Sequence, residues 1–242
     1  MATDKLLVCS VFAGSELDGF WLELQRQQLS ATVGEFDHAV YLSHRADQTL
    51  FKQSVTVGTS SPGDKWEHRD GVRALTDYCH QHPAYSGYLL LDSDAFPIVS
   101  DWKGTLDYCL KRFNKSYAAA IRVENLDTFP HPCVAYARDP HSIRFIYRTT
   151  LNLLGQSITD LSGSAYDFFP LLKTNRKSLH PIIATVYFDL FYHHGAGSRS
   201  FSSRAINAGY YDQILTRSCN TSDELYELLR KDPQGFIASL CG

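Results

Sequence analysis

A run of apolar residues that ends in two aspartates is the feature that most restricts what this chain can form. The run is "GYLLL", residues 87–91, and Asp92, Ser93 and Asp94 follow it directly. Consecutive apolar residues of this length are typical of a strand buried on both faces, as in parallel sheets. Ligands of open α/β sheets bind beyond the carboxyl ends of the strands. The two carboxylates therefore fall where a ligand site is expected.

The spacing of the two acids indicates a metal site. If the strand conformation persists, Asp92 and Asp94 lie on one side and Ser93 on the other. Two carboxylates this close repel each other unless a cation or a shared proton relieves them. Carboxylate oxygens suit Mg²⁺ or Mn²⁺. Asp and Ser are also common turn residues, but the position directly after a buried strand favours the metal site.

A second stretch, "YFDLFYHHGAGSR" at 187–199, also carries a predicted strand into a loop. In a continuous strand, Asp189, Phe191 and His193 share one face and His194 lies on the other. An imidazole is a common ligand of divalent metals. Either His193 or His194 could therefore complete a metal site begun by the aspartates.

The end of this second stretch is suited to an anion. Gly195 and Gly197 would let backbone N–H groups approach it closely, and Arg199 could pair with it in a bidentate manner. The sequence thus predicts a cation and an anion in the same site, if the two stretches meet.

Strand and helix patterns alternate along the first half of the chain, which predicts one α/β domain with a parallel sheet. The polar residues 44–66 predict a loop, and residues 180–201 predict a long β-like run that ends in a glycine-rich turn. Apolar runs predict strands, and helical spacing predicts helices. The predicted strands are 5–12, 38–43, 87–92, 116–123 and 133–137, and the predicted helices are 13–30, 67–81, 101–113, 139–155 and 221–231.

Composition excludes some classes of function. The net charge of −3 gives no global positive field for nucleic acid. No apolar stretch approaches the roughly 20 residues that cross a bilayer, and "MATDKLLVCSVFAG" lacks the pattern of a signal peptide. The six cysteines show no C-x-x-C spacing. We therefore expect reduced thiols and a cytoplasmic protein.

The D-x-D at 92–94 and "HHGAGSR" together resemble the motifs of GT-A glycosyltransferases, which transfer a sugar from a nucleotide-diphospho-sugar. More loosely, "LDSDAFPI", "IRVENLDTFPHPCVAYA" and "YHHGAGSR" are similar to the small GT-A domains of capsule-building bacteria and of large algal viruses. The resemblance extends over residues 5–200. It implies a single Rossmann-like α/β domain with a mixed, mainly parallel sheet flanked by helices. Residues 1–100 would bind the nucleotide and residues 101–242 the sugar and the acceptor.

The resemblance also implies ligands and site residues. The ion would be Mn²⁺ or Mg²⁺, the donor a nucleotide-diphospho-sugar (a UDP-sugar is favoured), and the acceptor a glycan or glycoprotein. Asp37 or His44 would touch the base, and Glu124, Asn125 and His131 would lie over the sugar. The residues implied for the nucleotide and diphosphate are Val11, Phe12, Ala13, Lys65, Arg69, Ser93, Gly195, Gly197 and Arg199.

The stereochemical course and two rival functions stay open. An inverting enzyme needs a carboxylate base, for which Asp189 or Glu124 could serve, whereas "HHGAGSR" favours a retaining enzyme. An apolar strand followed by D-x-D is also typical of haloacid-dehalogenase-type phosphatases. Those enzymes carry the motif on their first strand, and here the third predicted strand carries it. The other rival is a non-catalytic domain that binds nucleotide sugars.

Overall fold

Four parallel strands form the first half of the main sheet. The computed structural model describes residues 4–64, 67–124, 127–143, 167–174, 185–195 and 222–241. Strand order in this half is β3-β2-β1-β4, all parallel, which is the order of the first four strands of a doubly wound fold. The elements are β1 Leu6–Phe12, α1 Asp18–Val33, β2 Phe36–Leu42, β3 Val55–Thr59, α2 Glu67–Gln81 and β4 Gly87–Asp92, with a 3₁₀ turn at Gln48–Phe51.

The second half extends this sheet with antiparallel pairing. Strand β7 lies antiparallel to β4 and to β6, and β6 lies parallel to β8. The sheet order of the described strands is therefore β3-β2-β1-β4-β7-β6-β8. The predicted mixed, mainly parallel sheet flanked by helices is confirmed. The new elements are β5 Ala95–Pro97, α3 Trp102–Arg112, β6 Tyr117–Glu124, β7 Asp127–Ala137 and β8 Phe168–Leu171.

A smaller antiparallel sheet starts directly after the D-x-D. Its order is β5-β11-β10-β9, and it packs between α1 and the two C-terminal helices in one apolar cluster. The remaining elements are β9 Lys173–Thr174, β10 Thr185–Tyr187, β11 Phe191–His193, α4 Ser222–Lys231 and α5 Pro233–Cys241. Residues 140–143 are helical, in agreement with the predicted helix start near residue 140.

Helices cover the two faces of the main sheet, and strand alternation decides which side chain meets which helix. Tyr88 and Leu90 of β4 belong to the cluster that α2 closes. Leu89 and Leu91 belong to the cluster that α3 closes with Trp102. Because successive side chains alternate, Asp92 continues the row of Tyr88 and Leu90 toward α2.

Three sequence predictions are wrong. Residues 55–59 form the edge strand β3 within the predicted loop 44–66, because an edge strand with exposed residues carries no continuous apolar run. The predicted β-like run at 180–201 breaks at 188–190, where Phe188 and Asp189 have φ of 54° and 56°. Asp189 and His193 therefore do not share one strand face. The apolar helix α5 follows α4, although the sequence predicts no element beyond the helix at 221–231.

The described cysteines Cys9, Cys79, Cys109, Cys133 and Cys241 are free thiols. The Sγ atoms of Cys9 and Cys79 lie 3.5 Å apart, which is beyond the length of a disulfide bond. None of the described helices has both the length and the apolar character that crossing a membrane requires.

One buried histidine of β2 makes the stability of the fold depend on pH. His38 is 4% exposed, its Nδ1 lies 3.3 Å from Ser54 Oγ, and its Nε2 has no hydrogen-bond partner. Burial, assisted by the charge of Arg26, lowers the pKa of His38 to about 3. The folded chain therefore holds this imidazole neutral where the unfolded chain protonates it.

We expect His38 to make the protein less stable in mild acid. In the unfolded state His38 binds a proton below its ordinary pKa of about 6.5. In the folded state the imidazole stays neutral down to about pH 3. The free energy of unfolding then falls by about 1.4 kcal/mol per pH unit between those values. Urea denaturation at pH 7 and pH 5 should show about 2 kcal/mol less acid-induced loss in His38→Leu than in the parent protein. The exposed His141→Leu is the control, and an unchanged pH dependence in His38→Leu would contradict the assignment.

Candidate metal centre

The D-x-D lies at the carboxyl edge of the parallel strands, as the sequence predicts. Asp92 is the last residue of β4, Ser93 and Asp94 form a turn, and β5 begins at Ala95. Asp92 pairs in register with Val11, the penultimate residue of β1. The pair of carboxylates therefore borders the edge at which α/β sheets bind ligands.

Antiparallel pairing of β5 with β11 brings a histidine to this turn. His193 lies opposite Ala95, and the backbone N–H of His194 donates to the Asp94 carbonyl over 3.1 Å. His193 Nε2 is 3.5 Å from Asp92 Oδ2 and 3.4 Å from Asp94 Oδ1. Two stretches about 100 residues apart in sequence thus meet in one site.

Asp92, Asp94 and His193 form a donor set that suits a divalent metal ion. Each offers one ligand atom, and these atoms all lie within 4.8 Å of one another. Carboxylate oxygen and imidazole nitrogen are ligands that first-row divalent ions and Mg²⁺ accept. The residues present therefore fit a divalent cation.

Opposite charges outweigh burial in setting the protonation of this centre. Burial disfavours charge on every member, but His68 and His193 hold the pKa of Asp92 well below its usual value, and His193 lowers the pKa of Asp94. Conversely, Cys133 and the two aspartates raise the pKa of His193 well above its usual value despite burial. Without a cation, these neighbouring charges favour the carboxylate form of the aspartates and the imidazolium form of His193. A metal on His193 must displace a proton, so binding is favoured by rising pH.

His194 lies outside this group. It is 2% exposed, its Nδ1 lies 3.0 Å from Tyr192 Oη, and its ring packs 5.1 Å from that of Trp21. Burial lowers the pKa of His194 to about 4. Of the two candidate ligands, the structure brings only His193 to the aspartates, because adjacent residues of an extended chain point to opposite sides.

The glycine that follows the two histidines donates a backbone hydrogen bond to a carboxylate of the metal centre. The backbone N–H of Gly195 donates to Asp94 Oδ2 over 3.0 Å, and a φ of 83° shows why a glycine stands there. Gly197, Arg199 and Lys65 lie outside the described residues. Ser93 is buried within the turn.

The residues predicted for the nucleotide lie near the carboxyl edge but are engaged with the protein. The ring of Phe12 is buried against Phe51, 4.7 Å away, so only its backbone faces the edge. The Ala13 carbonyl accepts from Arg45 Nη2 over 3.1 Å. Arg69, in the first turn of α2, pairs with the neighbouring Asp70 at 3.1 Å.

The two residues predicted to contact the nucleotide base lie at opposite ends of strand β2. His44 follows β2 at the carboxyl edge, and its Nδ1 lies 3.4 Å from Ser60 Oγ. Asp37 lies near the start of β2 and accepts from Tyr85 Oη over 2.9 Å. Only His44 is therefore on the side of the metal centre.

The two candidates for the catalytic base, Asp189 and Glu124, lie in different parts of the structure. Asp189 is exposed in the turn between β10 and β11, at the opposite end of β11 from His193. The backbone of Glu124 ends β6 and pairs with Asp127 at the tip of the β6–β7 hairpin, and its side chain is outside the described set. His131, further along that hairpin, accepts from the Cys133 N–H over 3.1 Å. Asn125 lies outside the described residues.

Sequence reasoning missed Gln25, which holds the D-x-D turn from α1. Its Nε2 donates to the carbonyls of Asp92 and Ala95 over 3.1 and 2.9 Å, and its Oε1 accepts from Ser10 Oγ over 3.1 Å. The side chain is fully buried. A glutamine at an apolar position of a predicted helix was the available signal, since a buried amide needs hydrogen-bond partners.

Sequence reasoning also missed His68. It is the second residue of α2, and its Nε2 lies 2.9 Å from Asp92 Oδ1. The row of Tyr88 and Leu90 directs Asp92 toward this helix. A histidine at a helix start carries no distinctive sequence signal.

Comparisons with known proteins find similarity in solved structures. No protein-family model matches the chain, and no curated protein matches it significantly. The chain is similar to glycosyltransferases. A mannosyltransferase from Pyrobaculum calidifontis, in complex with GDP-Man and Mn²⁺, is 12% identical with a TM-score of 0.39 over 64% of this chain and 49% of that one.

Two other solved structures are similar at the same level. A glycosyltransferase involved in glycosylation of the major capsid of PBCV-1 is 12% identical with a TM-score of 0.39, over 69% of this chain and 80% of that one. TarS 1–349 of S. aureus, in complex with UDP-GlcNAc, is 13% identical with a TM-score of 0.36, over 58% of this chain and 46% of that one. This chain thus spans about half the length of the mannosyltransferase and of TarS.

Replacing Gln25 should loosen the D-x-D turn. Gln25→Leu replaces the amide with an apolar side chain of similar size and so removes the donor to two carbonyls. An unsatisfied buried acceptor costs about 1–3 kcal/mol. We expect a loss of that order in the free energy of unfolding, measured by urea denaturation. Gln27→Leu, at an exposed position of the same helix, is the matched control. Equal losses in the two variants would show that Gln25 does not hold the turn.

Proposed function

We propose that the protein is a metal-dependent glycosyltransferase that moves a sugar from a nucleotide-diphospho-sugar to a hydroxyl of a glycan or glycoprotein. A UDP-sugar is the proposed donor. One observation carries the proposal: the ligand atoms of Asp92, Asp94 and His193 converge at the carboxyl edge of the parallel strands. Nucleotides bind to α/β sheets at this edge, and a diphosphate needs a cation there.

Residues 1–100 are the proposed nucleotide-binding half. The order of the first three strands, β3-β2-β1, supports this, because it is the order of a mononucleotide-binding half of a doubly wound fold. A hydrogen-bonded chain lies beside the proposed base site, in which Ser60 Oγ donates to Glu67 Oε1 over 2.7 Å and accepts from the His44 N–H over 3.0 Å. Residues 101–242 are the proposed sugar and acceptor half.

Asp92, Asp94 and His193 would hold the Mn²⁺ or Mg²⁺ ion. When bound, the ion supplies Lewis-acid stabilisation of the negative charge that develops on the departing nucleoside diphosphate. Gly195 N–H is already committed to Asp94 Oδ2. In our proposal the remaining anion contacts therefore fall to Gly197 and Arg199, which would stabilise the same charge electrostatically.

A retaining course is the one that we propose. An inverting transfer requires a carboxylate that removes the acceptor proton. Asp189 lies in the turn before β11, at the far end of that strand from His193, which argues against this role. Glu124 stays the candidate base for the inverting alternative, since it ends β6, which runs in the same direction as β4 and therefore ends at the same edge as Asp92.

The proposed metal centre predicts which variants lose metal-dependent binding of the nucleotide-sugar donor. A thermal-shift panel of UDP-, GDP-, dTDP- and CMP-sugars, each with Mn²⁺ and with EDTA, should show a Mn²⁺-dependent shift with one nucleotide class. A ligand at 100 times its Kd adds about 2.7 kcal/mol of stability. Asp92→Asn and Asp94→Asn should abolish this shift while the proteins stay folded, and Glu35→Gln, an exposed carboxylate, should keep it.

The panel is decisive when combined with a turnover assay. The proposed metal-dependent donor site would be refuted by the absence of a thermal shift with every donor. It would also be refuted by shifts in Asp92→Asn and Asp94→Asn equal to those of the parent protein. A Mn²⁺-dependent shift without release of the nucleoside diphosphate, at saturating acceptor, would instead identify a non-catalytic nucleotide-sugar-binding domain.

A further inference from the structure

The two carboxylates of the metal centre are held in the same manner. Asp92 has Oδ1 at 2.9 Å from His68 Nε2 and Oδ2 at 3.5 Å from His193 Nε2. Asp94 has Oδ2 at 3.0 Å from the Gly195 backbone nitrogen and Oδ1 at 3.4 Å from His193 Nε2. In each carboxylate one oxygen is hydrogen-bonded to an outside donor, and the other lies 3.4 to 3.5 Å from His193 Nε2.

His68 is fixed by the fold to act on Asp92. It is the second residue of the 15-residue helix α2, whose residues Val72 and Leu75 are packed in the same apolar cluster as Leu90 of β4. Strand alternation turns Asp92 toward that helix. A carboxylate can only accept, so His68 Nε2 carries the hydrogen of this contact.

The contact differs from an ordinary surface ion pair. Exposed pairs contribute little because both side chains are solvated. The side chain of His68 is 47% exposed, but that of Asp92 is only 21% exposed, and the oxygen that His68 holds belongs to the centre itself. A fixed donor at this oxygen therefore restricts how the carboxylate can bind a cation.

We propose that His68 is a positioning residue that makes Asp92 a one-oxygen ligand of the metal. This inference rests on the proposed metal centre and goes beyond it. Gly195 holds Asp94 in the same way through its backbone N–H. The centre then offers two single carboxylate oxygens and one imidazole nitrogen.

This arrangement selects among divalent ions. Mg²⁺ and Mn²⁺ sites with few protein ligands leave positions for water and phosphate oxygens. Ca²⁺ takes six to eight oxygen ligands and commonly binds carboxylates through both oxygens. Holding one oxygen of each aspartate thus disfavours Ca²⁺, and freeing Asp92 by removing His68 should weaken that discrimination.

The first test measures Mn²⁺ binding to the purified chain without nucleotide, by the electron paramagnetic resonance signal of free Mn²⁺. Loss of a hydrogen-bond partner behind a metal ligand costs about 10- to 100-fold in affinity, and we expect a loss in that range for His68→Ala. His68→Gln keeps an N–H donor and should recover part of the affinity. His82→Ala, an exposed histidine beyond the other end of α2, should bind as the parent does.

The second test measures how Ca²⁺ competes with Mn²⁺ in the same titrations. A positioning role predicts that His68→Ala lowers the preference for Mn²⁺ over Ca²⁺, because Asp92 can then offer both oxygens. A general structural defect would weaken both ions equally, and that result would overturn the proposal.

The outcomes separate this inference from the proposed function. If Asp92→Asn and Asp94→Asn lose Mn²⁺ binding while His68→Ala binds as tightly as the parent, the role of His68 is refuted and the centre stands. If the two Asn variants also bind as tightly as the parent, the centre is refuted and the role of His68 with it.

Discussion

The antiparallel pairing of β5 with β11 is the interaction on which the candidate site depends. It sets His193 opposite Ala95, one residue beyond the D-x-D, and it continues as the hydrogen bond from the His194 N–H to the Asp94 carbonyl. Main-chain hydrogen bonds have nearly fixed length and direction. The imidazole is therefore positioned by the backbone, and its distance to the carboxylates follows from strand register.

Bringing two carboxylates and an imidazole to the rim of an apolar core has an electrostatic cost, which neighbouring groups offset. Burial opposes the charge on Asp92 and Asp94, and His193 and His68 lower the carboxyl pKa values in spite of it. The Gly195 N–H satisfies a further carboxylate oxygen. Such a cluster of opposed charges is suited to exchange a proton for a divalent cation.

Helices from both sides of the sheet support the D-x-D turn. Gln25 of α1 binds the carbonyls at both ends of the turn, and His68 of α2 binds the Asp92 side chain. One helix thus fixes the backbone and the other fixes a carboxylate. Both helices are anchored by apolar packing, so the side chains at their polar positions arrive with little freedom.

The sequence by itself determined the features that depend on neighbours along the chain. Alternation of apolar runs and helical patterns predicted the parallel strands β1, β2 and β4 and the helices between them, because burial imposes those periods. The same pattern ended the β4 strand at Asp92 and so located the carboxylates at the ligand edge.

Only the tertiary structure decided the features that depend on partners distant in sequence. The exposed edge strand β3 forms because β2 pairs with it, although its own residues show no buried pattern. The choice of His193 over His194 follows from register with β5, and the roles of Gln25 and His68 follow from how α1 and α2 pack. These arrangements bring together residues 24 to 101 positions apart in sequence. A pattern of neighbouring residues cannot predict them, because it reflects only contacts that are local along the chain.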